Sequence, residues 1–129
     1  MNRFLIGLAA GIGVAAVLPA AGHTPDTPAD VKKAVADGKA VLIDVRELEE
    51  RKDGHLAAAK SLPLSDLNKG KAVDKLKEVA PAGKIVYLHC AAGGRCLKAA
   101  ELLKDAGYDI RPLKPGYEAL LKDGFEKAK

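Results

Sequence analysis

No tryptophan occurs in the 129 residues, Phe and Tyr together fill five positions, and there is a single methionine. A core built from this chain must therefore be aliphatic. The only two cysteines, Cys90 and Cys96, stand far from the apolar N-terminus, which excludes a lipid-anchored lipoprotein. Charge of one sign is also scarce. The net charge is +4, and lysines such as Lys75 and Lys77 alternate with Asp74 and Glu78. Without a basic block interleaved with aromatics, nucleic-acid binding has no support, and the mild charge offers at most weak steering of small anions. No cluster of His, Cys and acids has metal-ligand spacing, so no metal is expected. Internal repeats and low-complexity tracts are absent as well.

The chain is long enough for one domain with a modest core and too short for two. Its first residues differ in composition from the rest. Asn2-Arg3 is a short positive start, Phe4 to Leu18 is fifteen residues without a polar side chain, and Pro19-Ala20-Ala21-Gly22 supplies small residues. That is the pattern of an export signal over residues 1–22, cleaved between Ala20 and His23. The apolar run falls short of the roughly 20 residues of a spanning helix. An uncleaved anchor over Phe4 to Gly22 is the alternative, and membrane contact is expected only in that case. Loss of residues 1–22 removes Arg3 and no acid, taking the charge from +4 to +3. A periplasmic or extracellular protein, monomeric, is expected, with a linker over residues 23–27 and a domain over 28–129.

Thr27 before Pro28, with Asp30 three residues on, marks a helix start, and Gly38 its stop. Ala40 to Val45 is a short apolar run broken only by Asp44, the length of a buried strand. Glu47 to Asp53 is a charged helical segment. Ala59 to Leu64 predicts a strand, Leu67 to Val79 a helix, and Lys84 to His89 a strand. Cys96, Ala99, Ala100 and Leu103 then make a helical stripe, widened by Leu102 and Ala106 and closed by Gly107. Asp109 to Leu113 is a last strand and Gly116 to Lys122 a last helix. Alternating strands and helices argue an α/β domain, a central mostly parallel sheet flanked by helices on both faces.

Between the third strand and the following helix lies Cys90-Ala91-Ala92-Gly93-Gly94-Arg95. Ligands of such sheets sit beyond the carboxyl ends of the strands. A thiolate is the reactive form of cysteine, favoured by a helix N-terminus and nearby cations. A loop with two adjacent glycines can turn the N–H groups of Ala91, Ala92, Gly93, Gly94 and Arg95 toward one point, and Arg95 can offer a planar fork to an oxyanion.

The motifs Asp44-Val45-Arg46-Glu47, Gly54-His55-Leu56, Leu62-Pro63-Leu64, Cys90 to Arg95, Ala106-Gly107-Tyr108 and Pro115-Gly116-Tyr117-Glu118-Ala119-Leu120 stand in an order that resembles single-domain rhodaneses, over roughly residues 28 to 126. The resemblance implies a small rhodanese-like domain and a thiosulfate-type sulfurtransferase. In it the cysteine matched by Cys90 takes sulfur from a small anionic donor and passes it to a thiol or cyanide acceptor. The intermediate is a covalent persulfide on Cys90, and no cofactor is needed. Related phosphatases and arsenate reductases have one more residue between cysteine and arginine, and the shorter loop here favours sulfur.

Some positions depart from the family pattern. Ala57-Ala58 replaces a common Pro-Gly after Gly54-His55-Leu56, Pro115 replaces a glycine, Leu120 a frequent tryptophan, and Cys96 the more usual serine. Asp44 and Arg46 either orient the loop or form a structural ion pair at a strand end, and His55 reads as a hydrogen-bonded framework residue. His89 adjoins Cys90, yet neighbours on a strand point to opposite faces, so no Cys/His dyad follows. Cys96 is either a resolving thiol for Cys90 or a small packed residue. Two other functions stay open: a thiol redox or sulfur-carrier protein using Cys90 with Cys96, and a non-catalytic rhodanese-like binding module.

Overall fold

A computed structural model describes residues 22–129, so the leader reading, up to Ala21, lies outside the described residues. Helix α1 spans Pro28–Ala36, and its start is a reciprocal cap. Asp30 N–H donates to Thr27 Oγ1 at 3.1 Å, and Thr27 N–H donates to the Asp30 carboxylate at 2.9 Å. Strand β1 (Ala40–Asp44), helix α2 (Leu48–Lys52) and strand β2 (Ala59–Ser61) follow, then α3 (Leu64–Asn68), α4 (Ala72–Val79), β3 (Ile85–His89), α5 (Gly94–Leu103), β4 (Asp109–Pro112) and α6 (Tyr117–Lys122). The four strands form one sheet in the order β2-β1-β3-β4, and every pair is parallel.

Two apolar clusters, one on each face of the sheet, make the core. Ile43, Val45, Val86, Leu88 and Cys90 pack with Leu64, Leu67, Leu76, Ala99, Ala100 and Leu103 from α3, α4 and α5. Leu42 and Tyr87 point the other way and pack with Val31, Tyr117 and Leu120 from α1 and α6. The strand period of two thus sends alternate residues to opposite helical layers. Helix α2 buries none of its residues and lies over the carboxyl end of the sheet.

Three expectations are corrected. The helix expected over Leu67 to Val79 is two helices, because Gly70 and Lys71 take φ of 105° and 57° and turn the chain between α3 and α4. Strand β2 ends at Ser61 rather than Leu64, since Leu64 already begins α3 behind Pro63. Helix α5 begins two residues early, at Gly94, and ends at Leu103. Leu102 lies within the helix but off its core-facing side, is 39% exposed, and does not widen the stripe as expected. The stripe itself stands: Cys96, Ala99, Ala100 and Leu103 are its buried residues.

Residues 23–27, read as a linker, run against the domain. Thr24 N–H donates to Pro112 O at 2.8 Å, and the Asp26 carboxylate accepts from Tyr87 OH at 2.6 Å and Arg111 Nη1 at 2.8 Å.

Candidate active site

Cys90 is the first residue past β3, where the chain leaves the sheet and turns into α5. Its side chain is 1% exposed, at the bottom of the loop, while Ala91, Ala92 and Gly94 form an exposed rim. Gly93 takes φ +93° as the residue capping α5, and that left-handed turn aims its N–H at Cys90 Sγ, 3.0 Å away. The N–H groups of Ala92 and Cys96 add to the same cradle. The first turn of α5 contributes its dipole, so the sulfur faces several donors at once.

The largest influence on the Cys90 thiol is Cys96. The Cys96 side chain, together with the three backbone N–H groups, overcomes the cost of burial and holds the Cys90 thiol at about 5. At neutral pH Cys90 is a thiolate. The Cys90 side chain, then burial, pushes the Cys96 thiol far above its ordinary value. Cys96 therefore keeps its proton and acts as a donor. In the structure Cys96 Sγ donates to the carbonyls of Gly93 and Leu113, each 3.1 Å away.

Arg95 stands in the first turn of α5 and is bound end-on by Glu50 of α2, with Nη1 and Nη2 at 2.6 and 2.8 Å from the two carboxylate oxygens. The Arg95 hydrogen bonds bring the Glu50 carboxyl down to about 2. This fork takes two of the five guanidinium N–H donors, and the others make no hydrogen bond among the described residues. Glu50 was not legible as a site residue. It lies 45 positions from Arg95 in sequence, and its only local sign is a helix-start role, accepting Glu47 N–H at 3.0 Å.

Asp44, Arg46 and His55 come together in the framework beneath α2. Arg46 binds the Asp44 carboxylate through Nε and Nη2, gives Nη2 to Gly54 O at 2.8 Å, and lies 4.2 Å over the Tyr117 ring. Arg51 of α2 adds Nη1 to Asp44 at 3.2 Å, and His55 Nδ1 lies 3.2 Å from Arg51 O. Burial raises the Asp44 carboxyl, but the Arg46 hydrogen bonds outweigh it and the group stays ionised. These residues do not touch Cys90. They hold α2, α2 holds Glu50, and Glu50 holds the loop arginine.

His89 points to the other face from Cys90, fully buried, with Nε2 3.9 Å from Asp44 and no hydrogen-bond partner on that nitrogen. Burial pushes its pKa down, so it is neutral. The loop also rests on a shelf absent from the sequence reading. Tyr117 N–H donates to Cys90 O at 2.9 Å, and a β-carbon on Gly116 would stand 1.8 Å from Ala91 O. On the other side, His23 Nε2 lies 2.8 Å from Gly93 O.

A family model described as a rhodanese-like domain matches residues 27–123. The chain is 38% identical over 81 residues to the uncharacterized protein YqhL of Bacillus subtilis, an alignment covering 62% of this chain and 60% of that one. It is 35% identical over 83 residues to a tRNA uridine(34) hydroxylase of Salmonella newport, covering 63% of this chain and 23% of that one. The chain thus spans less than two thirds of these relatives. Among solved structures, the human single-domain sulfurtransferase TSTD1 aligns with a TM-score of 0.61 at 26% identity, covering 73% of this chain and 91% of that one.

Proposed function

Since the chain belongs to the rhodanese-like domain family, we propose that it is a sulfurtransferase in which Cys90 carries a sulfane sulfur from a thiosulfate-like donor to a thiol or cyanide acceptor. The observation that carries this reading is the thiol of Cys90 held at about 5 inside a ring of N–H donors. A buried thiolate is a soft nucleophile suited to attack on sulfur.

In the first half-reaction the Cys90 thiolate attacks the outer sulfur of the donor. A new S–S bond forms as the donor's S–S bond breaks, and its electron pair leaves on sulfite. The N–H groups of Ala92, Gly93 and Cys96 face the sulfur throughout and stabilise the persulfide anion. In the second half-reaction an acceptor thiolate or cyanide attacks the outer sulfur and Cys90 leaves as thiolate. Sulfur is carried covalently, so the cycle calls on no cofactor. Arg95 has N–H donors left over from Glu50 to meet the oxyanion end of the donor.

The resolving-thiol alternative requires Cys96 to become a nucleophile, and its thiol is held protonated. The leader at residues 1–22 would carry the reaction outside the cytoplasm, to a monomeric protein in the periplasm or beyond. Thiosulfate-dependent turnover tests the proposal. Cys90→Ser abolishes it, and Arg95→Ala lowers it by about 10- to 100-fold, the weight of one or two charge-assisted hydrogen bonds. Turnover that survives Cys90→Ser overturns the reading.

A further inference from the structure

We propose that His23 is a positioning residue for the active loop, its imidazole donating through Nε2 to the Gly93 carbonyl and so fixing the glycine whose N–H faces Cys90. The reading of Cys90 as the reactive thiol underlies this step. A carbonyl oxygen only accepts, so the 2.8 Å contact requires the hydrogen on Nε2. On the other side of the same residue, Gly93 N–H meets Cys90 Sγ at 3.0 Å. The packing there is close. A β-carbon on Gly93 would stand 2.8 Å from Lys114 O and 3.2 Å from His23 Nε2.

The segment behind the imidazole is held at several points. Thr24 N–H donates to Pro112 O, where β4 ends, and Thr24 Oγ1 accepts from Asp26 N–H at 3.2 Å. Asp26 is gripped by Tyr87 of β3 and Arg111 of β4. Burial opposes ionisation of Asp26, but its hydrogen bonds from Tyr87 and Arg111 prevail, and the carboxylate persists at neutral pH. The imidazole thus reaches the loop from a segment fixed to two strands, which gives the hydrogen bond a low entropic cost.

Its effect on the nucleophile runs through the Gly93 peptide. The Gly93 carbonyl accepts from His23 and also lies 3.1 Å from Cys96 Sγ. With both donors in place that oxygen is held from two sides, which fixes the plane of the Gly93 peptide and the aim of its N–H. Without His23 the Gly93 peptide loosens, and the N–H that faces Cys90 Sγ loses its aim.

Alkylation of Cys90 in the full chain, read by peptide mass after iodoacetamide at a series of pH values, tests this without any turnover. At pH 5.5, His23→Ala is expected to react roughly threefold more slowly than the unaltered chain, the effect of raising a thiol near 5 by about one unit. The rates should converge by pH 9, where both are thiolates. His23→Gln, which keeps a side-chain N–H, should recover much of the loss. His23→Leu keeps the bulk without a donor and gives the same answer as alanine should the smaller side chain unseat the segment. Coincident profiles, or slowing by the same factor at every pH, overturn the assignment. A chain that shows the shift but takes no sulfur from thiosulfate keeps the assignment and loses the sulfurtransferase reading.

Discussion

The two cysteines divide one proton unequally, and that division sets the chemistry of the site. Cys90 is pulled toward thiolate while Cys96 is held as thiol by the same contact. Cys96→Ala removes the largest stabiliser of the thiolate, so alkylation of Cys90 at pH 6 is expected to slow by about tenfold, and Cys96→Ser, with an O–H donor, to slow far less. Equal rates in all three proteins would assign the low thiol pKa to the backbone alone.

His89 makes a separate statement about acid. Burial lowers its folded pKa below the ordinary 6.5, so between the two values the unfolded chain binds a proton that the folded chain does not. Its stabilising share is complete above about pH 6.5 and is lost as pH falls below it, at up to about 1.4 kcal/mol per pH unit. Cys90, folded near 5 against about 9 unfolded, adds a loss of the same sign as pH falls through that wider window. Urea midpoints between pH 7.5 and 5 should therefore fall less steeply in His89→Gln than in the unaltered chain, and parallel slopes would refute a neutral buried His89. Cys90 and Arg95 were legible from their loop. Glu50 and His23 were not, because each acts on a residue at least 45 positions away and neither sits in a local pattern that names its partner.

Among the elements, β1, β3 and α1 were the most readable, since each rests on a local signal: short apolar runs, or the Thr27 and Asp30 cap. The α3–α4 break was missed because Leu67 and Leu76 both face one core cluster, and the apolar pattern runs on across Gly70 as if the helix did. Helix α2 was read correctly as charged, but its purpose shows only in three dimensions. Asp44 grips Arg51, α2 is held over the sheet, and Glu50 reaches Arg95. The turn before α6 does comparable work from below. At Gly116 the backbone, with φ −92°, is open to any residue, and the space is not. Gly116→Ala is expected to push Ala91 and Ala92 out of place, removing Cys90 reactivity at pH 6 while far-UV circular dichroism stays as before. An alanine variant with undiminished Cys90 alkylation would contradict the close fit.

At the scale of the whole molecule, an all-parallel sheet with helices on both faces follows from the near-continuous apolar strands and the alternation of strand and helix. That much was legible because both signals are periodic. Leu, Ile, Val and Ala fill the layer against α3, α4 and α5, while the layer against α1 and α6 also takes Tyr87, Tyr117 and Phe125, three of the five aromatics. Residues 23–27 were read as a linker from their prolines and polar side chains, and composition alone could not reveal that Asp26 finds Tyr87 and Arg111 across the sheet. All of this architecture converges on one sulfur atom at the end of β3, and the central claim is that Cys90 carries a second sulfur. Mass spectrometry of the protein after incubation with thiosulfate tests it most directly. The account predicts a gain of about 32 Da, confined to the peptide that contains Cys90 and removed by cyanide or a thiol. No added mass on Cys90, or the same gain in Cys90→Ser, would contradict it.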